Sequence, residues 1–509
     1  MQWLSTLAHE AVKARPDGEI LIESGSSPSG TYHMGHLREI ITCDAVLLEL
    51  RKRGRDARHI SYIDDLDGLR KIPVNIPADY EKYLGRPLCD IPSPDGKAGS
   101  YSEYFLKGLI GAAKNLSIDV EFVRSHKKYR NGFFVPAIEK ALDKVPQARQ
   151  ALEKISGRQL DEAWSPIQIM ENGYLKKRRF IDIDTNNKTL SYEDKNGAVR
   201  TTGYAKGEVK LDWRLDWPGR WWLLDVNIEP FGRDHATKGG SYDTGVQIMK
   251  DVYKAAPPMP VPYDFVNLAG DTKKMSASKG TGLDALGVVK TLPPEIIRYF
   301  MLRFGPGKRL YFDPENGVSQ LMDDFAALLA KPQKTADDEQ LIAISMGRIP
   351  ESTVSSVPFS HLVASYQAAL KDIDQTLEII RRTEHQKIVG AQEETIKNEL
   401  KFIDSWLKNW APEEVKFDLA AKPPKVIGEK ERQYLLALAE KIQQAPKDAD
   451  GEWFHKAIYE LQAASGLSPK QLFSTLYQAL VGKEHGPRAG WFLSILPRDW
   501  LLKRLKLEA

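Results

Sequence analysis

The sequence predicts an α/β protein: a Rossmann-type parallel sheet, an α+β insertion within it, and an all-α domain toward the C-terminus. Three observations predict this. First, the short apolar run from Glu19 to Glu23 is followed by a small-residue loop (Ser24 to Thr31) and then by apolar spacing at Leu37, Ile40, Ile41, Ala45 and Leu48. That spacing marks one buried helix face from about His33 to Arg53, with Gly54 placed as a C-cap and a second strand at His59–Ile63. A β-α-β unit of this kind makes parallel neighbours, with ligands beyond the carboxyl ends of the strands. Second, further strand-like runs fall at Asp119–Val123, Leu224–Ile228 and Asp264–Leu268, while residues between about 100 and 215 read first as helices and then as polar β segments. Third, from about residue 330 the pattern is helical throughout, as in Leu435, Leu438, Ala439, Ile442 and in Phe454, Ala457, Ile458, Leu461. The expected division is 1–100 and 216–270 for the two halves of the sheet domain, 101–215 for the insertion, 271–334 for a connecting region and 335–509 for the helices. The proline-dotted stretch Lys331–Ser360 reads as a linker.

Composition limits the function classes. The chain has 509 residues, 42% hydrophobic and 28% charged, with a formal net charge of +3. A polycationic tail is excluded, though a local basic face is not. Two cysteines, Cys43 and Cys89, make neither a disulfide scaffold nor a four-cysteine zinc site. The N-terminus has no apolar signal core and no run of about 18 apolar residues occurs, so no membrane span is expected and the cytoplasm is the expected compartment.

Chemistry concentrates in three segments. His33-Met34-Gly35-His36 opens the first long helix, where backbone N–H groups and the helix dipole favour an anion. Histidines three apart share a face and can reach one phosphate, and Gly35 lets a base or ribose approach the backbone. Downstream, Lys274-Met275-Ser276-Ala277-Ser278-Lys279 lies in a glycine-bounded, lysine-rich loop suited to closing over pyrophosphate. Between them, Phe231-Gly232-Arg233-Asp234-His235 follows a predicted strand, and its acid could hold ribose hydroxyls. Alone, the first reads as two solvated histidines and the second as a solvated basic turn. Together, in this order, they read as the jaws of an adenylate-forming site, in which donors offset charge growing on a phosphate.

These segments resemble the HIGH and KMSKS signatures of the class I aminoacyl-tRNA synthetases. The match is closest to the lysyl group of that class, carried by SGSSPSGTYHMGHLRE (24–39), YIDDLDGLRKIP (62–73), KLDWRLDWPGRW (210–221), EPFGRDHATKGGSYDTG (229–245), KMSASKG (274–280) and GKEHGPRAGW (482–491). The resemblance implies ATP-dependent activation of lysine and its transfer to the 3′ end of tRNA(Lys). It implies that His33, His36, Lys274 and Lys279 act on the phosphates, and that Gly35, Gly232, Asp234, Lys274, Ser276 and Ser278 bind ATP, with Mg2+. It places lysine among Gly25, Ser27, Glu39, Trp213, His235 and Tyr263. Chemically that set suits an ammonium on a four-carbon stem: a carboxylate for the tip and aromatic walls for the stem. The plainer reading of Glu39 is a surface acid paired with Arg38 or a nearby lysine, and of Trp213, Trp217, Trp221 and Trp222, core packing. The C-terminal helices are by resemblance an anticodon-binding domain, with Arg488, Trp491, Phe492, Arg498 and Trp500 as candidate base contacts, and the chain is expected to be a monomer.

Two departures stand out. The second lysine of KMSKS is replaced by Ala277, so Lys279 or Lys273 must serve if the loop is active. The insertion lacks the cysteine pairs that many relatives use for zinc, so no structural zinc is expected. Two competing readings are a glutamate-type synthetase, whose pocket would require arginine rather than Glu39, and a non-catalytic RNA-binding paralogue, favoured by Ala277 and opposed by intact His33, His36, Asp234 and Lys274.

Overall fold

The computed structural model describes residues 1–508 except 163, 271–282, 421, 425–426 and 447–448. The described chain forms two compact units. The first comprises 1–289, 297–312 and 335–350; the second comprises 290–296, 313–334 and 351 onward.

The first unit is built on a five-stranded sheet, all of whose pairings are parallel. In chain order its elements begin with α1 (Gln2–Ala14), β1 (Ile20–Ser26), α2 (Met34–Lys52), β2 (Ala57–Ile63), α3 (Tyr101–Asn115) and β3 (Glu121–Arg124). Three short helices follow, α4 (Ser125–Arg130), α5 (Val135–Asp143) and α6 (Val145–Ser156). The insertion then adds β4 (Ile167–Glu171), β5 (Tyr174–Lys177), β6 (Arg179–Asp184), β7 (Thr189–Glu193), β8 (Val199–Gly203) and β9 (Val209–Leu211). These make two separate antiparallel sheets, β5-β4-β9 and β6-β7-β8. Helix α7 (Trp213–Leu224) leads back to the main sheet through β10 (Ile228–Gly232) and β11 (Met259–Tyr263). β12 (Val266–Leu268) and β13 (Leu310–Phe312) pair with each other.

The main sheet runs β11-β10-β1-β2-β3. The chain leaves β1 toward β2 and β3 on one side, and later adds β10 and β11 on the other. The strand order therefore reverses between β1 and β10, and the crevice at their carboxyl ends is the expected ligand position. Both strands carry a glycine at that end, Gly25 in β1 and Gly232 in β10.

Three expectations are corrected. Leu224 and Asp225 are not strand: α7 runs through Leu224, Asp225 terminates it in the left-handed region (φ 56°), and β10 begins at Ile228. The run at 264–268 does not join the main sheet; Val266–Leu268 pairs with Leu310–Phe312 instead. Within the supposed linker lies the helix Ala336–Met346, started by a capping box between Thr335 and Asp338 that offsets the prolines on either side.

The second unit is helical, with a core through Tyr434, Leu435, Leu438, Ile442, Ile458, Leu472, Leu476 and Leu480. Phe492 is fully buried in that core, which removes it as a base contact. Trp491 is stacked on His361 (centroids 4.2 Å, 21°), with Arg488 exposed nearby. Arg504 lies over the Trp500 ring, and Arg498 donates to the carbonyl of Pro446 at 3.2 Å.

Candidate active site

The first unit holds a cavity of about 660 Å³ at the carboxyl ends of β1 and β10. Gly25, His33, Gly35, His36, Glu39, Ser27, Trp213, Gly232, Asp234, His235 and Tyr263 all line it. Residues separated by more than 200 positions in sequence thus converge because the parallel sheet aligns its strand ends. Lys274, Ser276, Ala277, Ser278 and Lys279, with Lys273, lie outside the described residues. Just past that segment, Leu283 accepts the Met34 N–H (2.9 Å) and Ala285 N–H donates to Tyr32 (2.9 Å). Leu283 and Ala285 therefore lie against the start of α2, beside the two histidines.

The histidine pair does more than line the wall. His33 is the N-cap of α2, and its Nδ1 accepts the Gly35 N–H at 3.1 Å. His36 Nδ1 accepts the His33 N–H at 3.1 Å. This is a capping box with imidazoles in place of the usual hydroxyl and carboxylate. The hydrogens of both backbone donors are fixed, so Nδ1 is the acceptor in each ring, and the neutral ring carries its proton on Nε2. The rings stand 4.0 Å apart. The arrangement presets two N–H donors of one tautomer at a helix N-terminus, the chemistry an oxyanion requires.

Glu39 is one turn further along α2. Its Oε1 accepts the Gly25 N–H at 2.7 Å and its Oε2 accepts the Tyr263 hydroxyl. It is not paired with Arg38, which is buried and donates to the carbonyls of Pro306 (2.8 Å) and Lys308 (2.9 Å). Burial pushes the Glu39 carboxyl up to about 7, against the two hydrogen bonds and the Arg220 charge, which lower it. Trp213 stacks on Trp217 (5.5 Å, 21°), and both rings stand about 5.5 Å from His235 (5.5 and 5.6 Å), forming one aromatic wall. Trp217 and Trp221 are buried, and Trp213 and Trp222 are half-buried.

Beneath this wall lies a charge network that local sequence reading missed. Arg220 is 3% exposed; its Nε meets Glu23 at 2.7 Å and its Nη1 meets Asp64 at 3.1 Å. Lys210, 1% exposed, meets Asp216 at 2.9 Å and Asp67 at 3.0 Å. Trp217 Nε1 donates to Glu229 at 2.8 Å. Glu23, Glu39, Asp64, Asp67, Asp216 and Glu229 thus face two buried cations, Arg220 and Lys210, with Arg70 reaching Asp67 from the exposed rim. One guanidinium cannot neutralise several carboxylates. Burial pushes Glu23 up to about 8 and Asp64 up to about 6 despite their shared arginine. Carboxyl groups therefore outnumber the cationic side chains within this network. The sequence signal that could have shown it is the clustering of Asp64, Asp65 and Asp67 after β2 and of Asp212 and Asp216 around α7.

Comparison with known proteins decides the family. The model described as tRNA synthetases class I (K) matches residues 1–349, and one described as an anticodon binding domain matches 368–508. The chain belongs to the class I tRNA synthetases (K). Relatives of this synthetase named lysine--tRNA ligase are similar over essentially their whole length. That of Archaeoglobus fulgidus is 35% identical, with 99% of each chain covered. Lysine--tRNA ligase 1 of Methanosarcina acetivorans is 33% identical, covering 99% of this chain and 98% of its own. That of Pyrococcus horikoshii is 32% identical, with 100% of each covered. Among the described residues of the synthetase, one trio of metal-ligand type, His361, Glu384 and His385, occurs in the second unit. There His361 Nδ1 and His385 Nε2 already hydrogen-bond to each other at 2.8 Å.

Proposed function

We propose that this synthetase is a lysine--tRNA ligase. Lysine and ATP first form lysyl-adenylate: a carboxylate oxygen of lysine bonds to the α-phosphorus, the bond from that phosphorus to the bridging oxygen breaks, and pyrophosphate leaves. A terminal hydroxyl of tRNA(Lys) then attacks the acyl carbon and AMP leaves. The observation that carries the choice of amino acid is Glu39, anchored by Gly25 and Tyr263 within a cavity of surplus buried carboxylate. A glutamate substrate would meet like charge there, which disfavours the competing glutamate-type reading.

In this reading Glu39 takes the substrate's terminal ammonium, while Trp213, His235 and Tyr263 flank its stem and Gly25 and Ser27 approach its backbone end. His33 and His36 donate from Nε2 to the ATP phosphates, which arrive with Mg2+ as part of the substrate. Gly35 and Gly232 admit the nucleotide close to the backbone; a Cβ at Gly232 would stand 2.7 Å from Asp234 Oδ1. Asp234 holds the ribose. Lys274, Ser276, Ser278 and Lys279 close on the pyrophosphate, with Lys279 or Lys273 in place of the lysine lost at Ala277. In the insertion Ile167, Ile169, Leu190, Tyr192, Val209 and Leu211 are buried in a hydrophobic core. The second unit reads the anticodon, with Trp491 and Arg488 the candidate base contacts. The chain acts as a monomer in the cytoplasm; among the described residues no helix is long and apolar enough to cross a membrane.

The test is charging of unfractionated tRNA with single labelled amino acids. Label from lysine alone is expected to become acid-precipitable, and to remain in solution after the tRNA 3′ end is oxidised with periodate. Charging by another amino acid, or by none, overturns the reading.

A pH dependence follows from Glu39. An ammonium requires the ionised carboxylate, and in the empty site that group titrates at about 7. Below that value binding must expel a proton, and above it none is needed. The KM for lysine is therefore expected to fall as pH rises from 6 to 8, most steeply below 7, by up to roughly tenfold per unit there. A KM for lysine that rises with pH over this range contradicts the ammonium role.

A further inference from the structure

Glu229, which lines the same cavity, carries a carboxylate oxygen with no hydrogen-bond partner among the described residues. The residue stands on β10, next to Ile228, which pairs with Ile22 of β1, so the parallel register sets it beside Glu23. It is 1% exposed and lines the cavity together with Glu39. Its Oε1 accepts the Trp217 indole N–H at 2.8 Å. Its Oε2 is buried and, among the described residues, has neither a hydrogen bond nor an ion pair. The nearest guanidinium, Arg220, is held by Glu23 and Asp64. Buried carboxylate oxygens are ordinarily satisfied, and one left unsatisfied on a residue that lines a cavity points to an absent donor.

We propose that Glu229 Oε2 is a second acceptor for the terminal ammonium of the substrate, forming with Glu39 a two-carboxylate clamp that sets specificity for lysine. The inference rests on the lysine reading above and adds to it a residue of β10. An ammonium offers three donors and no acceptor, so it can serve two carboxylates at once and still hold a third partner. The groups facing Glu229 are Glu23 on β1, Glu39 on α2, Arg220 and Trp217 on α7, and Tyr242 from the helix Ser241–Ile248. Burial, with the Glu23 charge, holds the Glu229 carboxyl well above the usual range, while Arg220 opposes. An arriving cation reverses that balance. A neutral substrate of the same length brings no charge to hold the two carboxyls ionised, so it gains nothing from the clamp that lysine gains.

The test uses the full chain and amino-acid-dependent ATP–pyrophosphate exchange, with lysine and its neutral isostere 6-hydroxynorleucine. Glu229→Gln keeps an oxygen to accept from Trp217, and removes the charge and the second acceptor by placing an NH2 group at the Oε2 position. We expect the KM for lysine to rise about 100-fold or more, the KM for ATP to stay within about twofold, and the preference for lysine over 6-hydroxynorleucine to fall by a similar factor. An unchanged lysine KM, or equal loss toward both substrates, overturns the proposal. A crystal structure of the unaltered chain with lysine bound supplies a check independent of the variant's folding. The substrate Nζ is expected within about 3.2 Å of both Glu39 and Glu229; an Nζ out of hydrogen-bond reach of Glu229 overturns it. Failure of the unaltered chain to use lysine at all would instead overturn the function itself, which keeps the two failures distinguishable.

Discussion

Glu39→Gln is expected to raise the KM for lysine by roughly 30- to 4,000-fold while leaving the KM for ATP nearly unchanged. The carboxylate is held from both sides, by the Gly25 N–H at 2.7 Å and by the Tyr263 hydroxyl, so it presents a preset charge rather than a mobile side chain. Truncating one member of a buried, hydrogen-bonded charge pair costs about 2–5 kcal/mol, which gives the stated range. Gln keeps the shape and can still accept from Gly25, so the loss reports charge. It also mimics the protonated acid. The difference between variant and unaltered chain should therefore grow from pH 6 to pH 8 as Glu39 ionises through about 7. Steady-state exchange kinetics at the two pH values measure this. An unaltered lysine KM, or a difference independent of pH, removes Glu39 from the ammonium site.

The second large effect is on stability. Arg220→Met leaves Glu23 and Asp64 buried without the guanidinium that meets both, at 2.7 and 3.1 Å. Removing one partner of a buried ion pair costs about 3–5 kcal/mol. The sign of the pH dependence is fixed by the carboxylates. Both already titrate high, at about 8 and about 6, and losing Arg220 raises them further. A carboxyl whose folded value exceeds its unfolded value makes folding weaker as pH rises through that interval. The variant should therefore lose most stability near pH 8 and least near pH 5.5. Urea unfolding of both proteins at these two pH values measures it. A loss below about 1 kcal/mol at pH 8, or one larger at pH 5.5, contradicts the charge account.

Local features of this fold were legible from the sequence because the physics behind them is local. The β1-loop-α2 unit shows in an apolar run, a small-residue loop and helical spacing ending at Gly54, and the structure places α2 at Met34–Lys52. The end of α7 was not legible, because Asp225 in the left-handed region moves the strand start to Ile228, and no residue pattern there signals it. The helix at Ala336–Met346 did carry a signal, Thr335 three residues before Asp338, which the surrounding prolines obscured. At the site, the spacing of His33 and His36 revealed two rings on one face but not that each Nδ1 accepts a backbone N–H. The charge network was the least legible part. Arg220 meets Asp64 across 156 positions, and Glu229 meets the cavity only because β10 lies beside β1. Pairings of that range depend on strand order, which hydrophobic periodicity does not encode.

The most direct test of the central claim, that an acidic cavity at the β1–β10 switch point selects lysine for adenylation, is ATP–pyrophosphate exchange with each of the twenty amino acids supplied singly. The account predicts exchange with lysine far above every other amino acid, glutamate and arginine included. Exchange driven by glutamate or another amino acid, or none with any while tRNA still binds, would contradict it.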